Sequence, residues 1–138
     1  MYPPHLTAPM AAELEQSGIT SLKTVEDVDA ALRDSKGTTL LVVNSVCGCA
    51  AAGARPGVIH SLSSSEKKPD HLTTVFAGVD FDATKKAREY LLPYPPSSPS
   101  IALFKDGQLV HFIQRHHIEG RPAEMISANL QAAFEEHC

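Results

Sequence analysis

"NSVCGCAAAG", residues 44–53, joins a run of apolar, β-branched residues to an alanine-rich one. Upstream, "TTLLVVNSV" (38–46) has no polar alternation, the pattern of a central strand buried on both faces. Downstream, "AAAGARPGVIHSLSSS" suits a helix until its serines, with Pro56 expected to kink or restart it. Cys47, Gly48 and Cys49 therefore fall where a strand becomes a helix.

The flanking sequence continues this alternation. Pro9–Ser17, ended by Gly18, reads as a short helix. Thr24 is placed as an N-cap with Asp27 in the capping-box position, and Val25, Val28, Ala31 and Leu32 recur at helical spacing up to Gly37 as C-cap. "HLTTVFAGVD" is a second buried strand, and "DATKKAREYLL" is an amphipathic helix with Asp82 as N-cap. "PYPPSSPS" carries four prolines from Pro93 to Pro99 and reads as a rigid loop. Asp106-Gly107 between apolar runs signals a hairpin. The last helix runs from about Pro122 to His137, with Met125, Ile126, Leu130, Ala133 and Phe134 on one face. No linker divides residues 1–138. The expectation is one α/β domain, a mixed central sheet flanked by helices.

Composition narrows the function. The chain has 138 residues, 43 % hydrophobic and 20 % charged, with a net charge of −4. That balance lacks the basic stripe that nucleic acid requires. No apolar run approaches a membrane span, and the start resembles no secretory signal. The expected location is the cytoplasm. Three cysteines, two of them separated by one residue, do not make a secreted disulfide framework.

At the start of a helix, unpaired N–H groups and the helix dipole favour a negative charge on Cys47. A dipole worth ~1 kcal/mol raises the thiolate fraction severalfold at neutral pH, enough for thiol–disulfide exchange. A buried, inert thiol is the bland alternative. Within a helix, residues two apart point about 200° from each other. A Cys47–Cys49 disulfide is thus expected to need an unwound first turn, which Gly48 permits. A metal site lacks a second cysteine pair, although Cys138 or some of the seven histidines stand as further donors. His116 and His117 read as neighbours on a solvated edge. A Cys–His hydrolase has no local signature here.

The cysteine pair at this junction together with "SSPSIALFKDGQLV" resembles the thioredoxin fold. That resemblance implies a cis peptide bond before Pro99, facing the cysteines. More narrowly, "NSVCGCAAAGARPG", "HHIEGRP" and "EEHC" resemble the bacilliredoxin family over nearly the whole chain. The resemblance implies removal of a low-molecular-weight thiol, typically bacillithiol, from mixed disulfides on S-thiolated client proteins. It also implies recycling by a disulfide reductase, with no bound cofactor or metal, and weak disulfide isomerase activity in some members. Carried over, Cys47 is the attacking thiolate and Cys49 the second motif cysteine, with the resolving role open between Cys49 and Cys138. Gly48, Ser98 and Pro99 face the substrate. Asn44, Arg55 and Cys138 are auxiliary: Arg55 either stabilises the thiolate, binds a carboxylate-bearing thiol, or is a solvated ion-pairing residue. Val46 stands where ordinary thioredoxins carry an aromatic residue, and Leu41 where they carry a buried acid. The lost acid favours single-thiol exchange over a dithiol reductase. A metal- or cluster-binding module using Cys47, Cys49 and Cys138 is the alternative of a different class.

Overall fold

The strand formed by Thr38–Asn44 (β2) is buried at every residue, because both of its faces are covered. In this computed structural model, which describes residues 2–138, β2 is the middle strand of five. The others are β1 (Thr20–Ser21), β3 (His71–Phe76), β4 (Ser100–Lys105) and β5 (Gln108–Ile113). Their order is β1-β3-β2-β4-β5. β2 runs parallel to β3, pairing Leu41 with Thr73, and antiparallel to β4, pairing Leu41 with Ala102. Asp106 and Gly107 join β4 to β5 at φ 49° and 80°, the left-handed pair that a two-residue hairpin turn requires.

Helices cover both faces: α1 (Pro4–Glu15), α2 (Val25–Leu32), α3 (Arg55–Ser64), α4 (Phe81–Glu89), α5 (Arg115–Ile118) and α6 (Ala123–His137). Leu40 and Val42 point to one face, where Leu14 of α1, Val58 of α3 and Leu130 and Phe134 of α6 pack on them. Leu41 and Val43 point to the other, against Val28 and Leu32 of α2 and Ala83 and Ala87 of α4. The α/β expectation, a mixed sheet between two helical layers, holds.

The alanine-rich segment is helical but irregular. A π-helical turn, Ala50–Ala54, runs into α3 at Arg55, with Pro56 in the first turn of α3. The expected kink or restart at Pro56 is not a break: Ala54 and Arg55 keep right-handed helical backbone, and the π-helical turn lies directly before the proline, which has no N–H to continue the preceding ladder. Its small residues do two things: Ala50, Gly53 and Ala54 are buried, while Ala51 and Ala52 are exposed.

Several boundaries differ from the sequence reading. α1 begins at Pro4, five residues before the expected start, with proline in its first turn. Thr24 and Asp27 form the capping box as expected, but α2 ends at Arg33. Gly37 instead precedes β2 at φ 83°, and its N–H donates to the Asp106 carboxylate at 2.7 Å. α4 is capped at Asp80, not Asp82, and α6 at Pro122, which has extended backbone. Met125 is 55 % exposed and leaves the apolar face of α6. β1 and α5 carry too few residues to show a period, and the sequence reading omits both. His116 and His117 lie in α5 with ring centroids 4.0 Å apart, not diverging on a strand edge.

Candidate active site

Cys47 is the N-cap of the helical segment after β2. Its carbonyl accepts from the N–H groups of Ala50 at 3.1 Å and Ala51 at 3.3 Å, so Gly48 and Cys49 are the first helical residues. An N-cap side chain ordinarily supplies an oxygen to the N–H groups two and three residues on. Here a sulfur stands at that position, and the N–H groups of Ala50 and Cys49 act on it to lower the thiol pKa. Ser45 adds a second donor: its hydroxyl reaches Cys47 Sγ at 3.1 Å and accepts from the Cys47 N–H at 3.3 Å.

Burial is the largest single influence on the Cys47 thiol and pushes it up. The Ser45 hydroxyl, the Cys49 thiol and the Ala50 and Cys49 N–H groups together outweigh it, leaving Cys47 below its ordinary value. Cys49 moves the other way: burial, the hydrogen bond to Cys47 and the Cys47 charge raise it, and the Arg115 charge offsets them only in part. One proton thus leaves the pair early and one late. The order is set: Cys47 gives up its proton before Cys49, whose thiol lies against it.

The expected divergence of the two sulfurs is not observed. Cys47 Sγ and Cys49 Sγ stand 3.3 Å apart. The 200° rotation applies between residues inside a helix, and Cys47 lies one residue outside it.

Asn44 and Arg55 are brought to the motif, but from beneath. Arg55 is 3 % exposed and donates to Asn44 Oδ1 and the Ser45 carbonyl, both at 2.9 Å, with its Nε 3.3 Å from Glu13 of α1. The ion pair is present, with Glu13, but the guanidinium is enclosed rather than solvated and is turned to Asn44 and Ser45 rather than to a ligand. Asn44 Oδ1 also accepts from the Ser45 N–H at 2.9 Å. Together they fix the turn that aims Ser45 at the sulfur.

Ser98 and Pro99 adjoin the motif through the sheet. Val43 pairs with Ser100, so the next step of the register puts Pro99 opposite Asn44. The Ser98–Pro99 bond is cis, as is Leu92–Pro93. The proline-rich loop is anchored by Tyr94, whose ring meets Phe112 edge-on at 5.1 Å. The Ser98 carbonyl accepts from Arg115 Nη1 at 2.9 Å.

Arg115, on α5, is the residue the sequence reading missed. Its charge acts on both cysteines, although the hydrogen bonds above, not Arg115, dominate at Cys47. No local signal identifies it, since only tertiary structure carries α5 to the motif. Ser45 had a signal, a serine placed to bond backbone two residues on. Leu41, at the position of the missing acid, is fully buried among apolar side chains.

Cys138 is not brought to the motif. It lies beside Thr38, Asp70 and Lys105, at the opening end of β2, whereas Cys47 follows its closing end. Seven strand residues separate the two, roughly 20 Å. A donor set of Cys47, Cys49 and Cys138 is not assembled, and no group of three His, Cys, Asp or Glu fit to hold a metal occurs among the described residues. Intramolecular resolution by Cys138 is likewise out of reach in this arrangement. The 600 Å³ cavity bounded by Gly18, Ser35, Pro69 and His71 also lies toward that distant end and contains no cysteine. No helix among the described residues is long and apolar enough to cross a membrane.

Comparison with known proteins agrees with this geometry. The sequence model of the family described as "Disulphide isomerase" matches residues 2–138. A bacilliredoxin of Cytophaga hutchinsonii is 61 % identical over 136 residues, covering 99 % of each chain. One from Bacillus licheniformis is 53 % identical over 137 residues, covering 99 % of this chain and 95 % of that protein. Among solved structures, oxidized thioredoxin O2 of Arabidopsis thaliana superposes with a TM-score of 0.60 at 14 % identity, covering 86 % of this chain and 96 % of that one. Mitochondrial thioredoxin 3 of Saccharomyces cerevisiae gives 0.57 at 16 %, covering 87 % and 96 %. The fold is that of thioredoxin. The chain belongs to the "Disulphide isomerase" family, as a bacilliredoxin-like thiol–disulfide oxidoreductase.

Proposed function

We propose that the protein strips a low-molecular-weight thiol, bacillithiol or an analogue, from mixed disulfides on S-thiolated client proteins. The Cys47 thiolate attacks the sulfur of the small thiol. A Cys47–small-thiol disulfide forms, the mixed disulfide breaks, and the client leaves as a thiolate that takes a proton from water. Release follows by either of two routes. A second small thiol attacks the adduct and leaves as the symmetrical disulfide. Alternatively Cys49 attacks, expelling the small thiol and forming a Cys47–Cys49 disulfide that a disulfide reductase must reduce. Gly48 and the Ser98–Pro99 backbone border the adduct. The cytoplasm, where thiols stay reduced, is the compartment this chemistry fits.

The observation that carries this reading is the Cys47 sulfur in the N-cap place, donated to by Ser45 at 3.1 Å, with Cys49 Sγ at 3.3 Å. The test is mass spectrometry after mixing the protein with a carrier bearing a radiolabelled small thiol on one cysteine. The expected result is one adduct on Cys47, persistent in Cys49→Ala and absent in Cys47→Ala. Transfer that survives Cys47→Ala sinks the proposal.

The family's description favours a second reading, disulfide isomerisation. A single exposed thiolate suffices to attack and reshuffle a client disulfide. Regain of activity by a scrambled disulfide protein, in the absence of any small thiol, separates the two.

A further inference from the structure

Arg115 does something at the site that the exchange reaction itself does not need. Its guanidinium offers five N–H donors. One goes to the Ser98 carbonyl and its Nε goes to Glu119, one helical turn on. No protein acceptor takes the other three among the described residues. The side chain is 42 % exposed and Glu119 is 51 % exposed, so the pair faces solvent. Arg55, the other arginine beside the motif, is enclosed, with its Nε and Nη1 donors bonded to Glu13, Asn44 and the Ser45 carbonyl.

We propose that Arg115 is a specificity residue that binds the carboxylate of an anionic small thiol while its sulfur meets Cys47, with Glu119 as the exchangeable occupant of the same guanidinium. This rests on the exchange reading above and names its substrate class. Three observations support it. Arg115 is tied to Ser98 on the loop beside the motif, so its position is fixed relative to the cysteines. Its charge also acts to lower the Cys49 thiol against the burial that raises it, in keeping with that placement. Glu119 already shows that a carboxylate fits there, and an exposed ion pair of this kind is weak enough to be displaced. The chain's net charge of −4 offers an anionic thiol no general attraction, so recognition has to be local.

The test uses the full chain with Cys49→Ala, which leaves the adduct on Cys47. One carrier protein is prepared as its mixed disulfide with 3-mercaptopropionate, 2-mercaptoethanol or cysteamine: anionic, neutral and cationic. Single-turnover transfer rates are divided by the rates at which dithiothreitol removes the same thiols. The expected preference for 3-mercaptopropionate over cysteamine is about fivefold, the scale of a half-exposed charge contact. Arg115→Gln abolishes it, read as the ratio of the normalised rates so that a change in reactivity common to all three thiols cancels, and a circular dichroism spectrum matching the parent's reports the fold intact. Arg115→Lys keeps part of it, and Glu119→Gln speeds the anionic substrate alone. Equal normalised rates for all three thiols with Arg115 present, or a preference that survives Arg115→Gln, overturns the proposal. Absence of transfer even for 2-mercaptoethanol overturns the exchange reading, and this one with it.

Discussion

At the scale of single residues, the chemistry depends on what surrounds two sulfurs in the same turn. Cys47 is lowered because four donors face its sulfur, although burial alone would raise it; Cys49 is raised because it is buried next to that charge. Ser45 is the donor whose removal is cleanest, since its hydroxyl has no other acceptor than Cys47 Sγ. The hydrogen bond favours the charged form, so Ser45→Ala raises the Cys47 thiol pKa. The reactive species is the thiolate, so its fraction at neutral pH falls. The pH profile of Cys47 alkylation should shift to higher pH. At pH 7 the rate should drop about threefold to tenfold, the size of ~1 kcal/mol of hydrogen bonding to a charged acceptor. Iodoacetamide kinetics from pH 5 to 10 in the Cys138→Ser background would check it; an unmoved profile would assign the lowering to the backbone N–H groups alone. The position of Cys47 at the helix start is legible in "NSVCGC". The 3.3 Å approach of the sulfurs is not, because it depends on which side of the helix boundary Cys47 falls.

At the scale of elements, the helix that carries the cysteines is held down by the absence of side chains. A Cβ on Gly57 of α3 would stand 2.8 Å from Ile126 Cγ2, 2.9 Å from Ile126 Cβ and 3.2 Å from the Ala123 carbonyl, all on α6. The last of these is backbone and yields only if the helices part. Gly57→Ala should therefore destabilise by about 1–3 kcal/mol, despite alanine's better helix propensity. Ile126→Val should not recover that loss, because valine keeps both Cβ and Cγ2 and leaves the Ala123 carbonyl where it is. Urea unfolding of the two single variants and the double variant tests both statements. A Gly57→Ala protein as stable as the parent would mean α3 and α6 are looser than they stand here. Long elements with a clear pattern are readable from sequence: β2 by its unbroken apolar run, α2 by its capping box, the β4–β5 hairpin by Asp106-Gly107. β1, with two residues, and α5, with four, have no period to read. Their existence is decided by β3's open edge and by the chain's return from β5. Since α5 carries Arg115 and ends on Glu119 as its C-cap, that side of the candidate site is invisible before the fold is known.

At the scale of the whole molecule, the sheet separates the three cysteines by function as well as distance. Cys47 and Cys49 follow the closing end of β2 and adjoin the Pro99 loop; Cys138 lies by its opening end. Burial raises the Cys138 thiol, the Thr38 hydroxyl lowers it, Asp70 raises it and Lys105 and Lys67 lower it, with a net result above its ordinary value. Cys138 is thus a protonated thiol at neutral pH, roughly 20 Å of strand away from the reacting sulfur. Both facts make it a poor nucleophile toward a Cys47 adduct. Cys138→Ser should leave the rate of small-thiol transfer to Cys47 within about twofold of the parent, because sites this far apart with no shared partner behave independently. It should also leave the decay rate of the adduct unchanged, whereas Cys49→Ala slows that decay by at least about tenfold if Cys49 resolves it. Time-resolved mass spectrometry of the intact protein reads both rates in one experiment. A Cys138→Ser protein that accumulates the adduct as Cys49→Ala does would require α6 to leave the sheet during turnover, and the Leu130 and Phe134 packing beneath β2 stands against that.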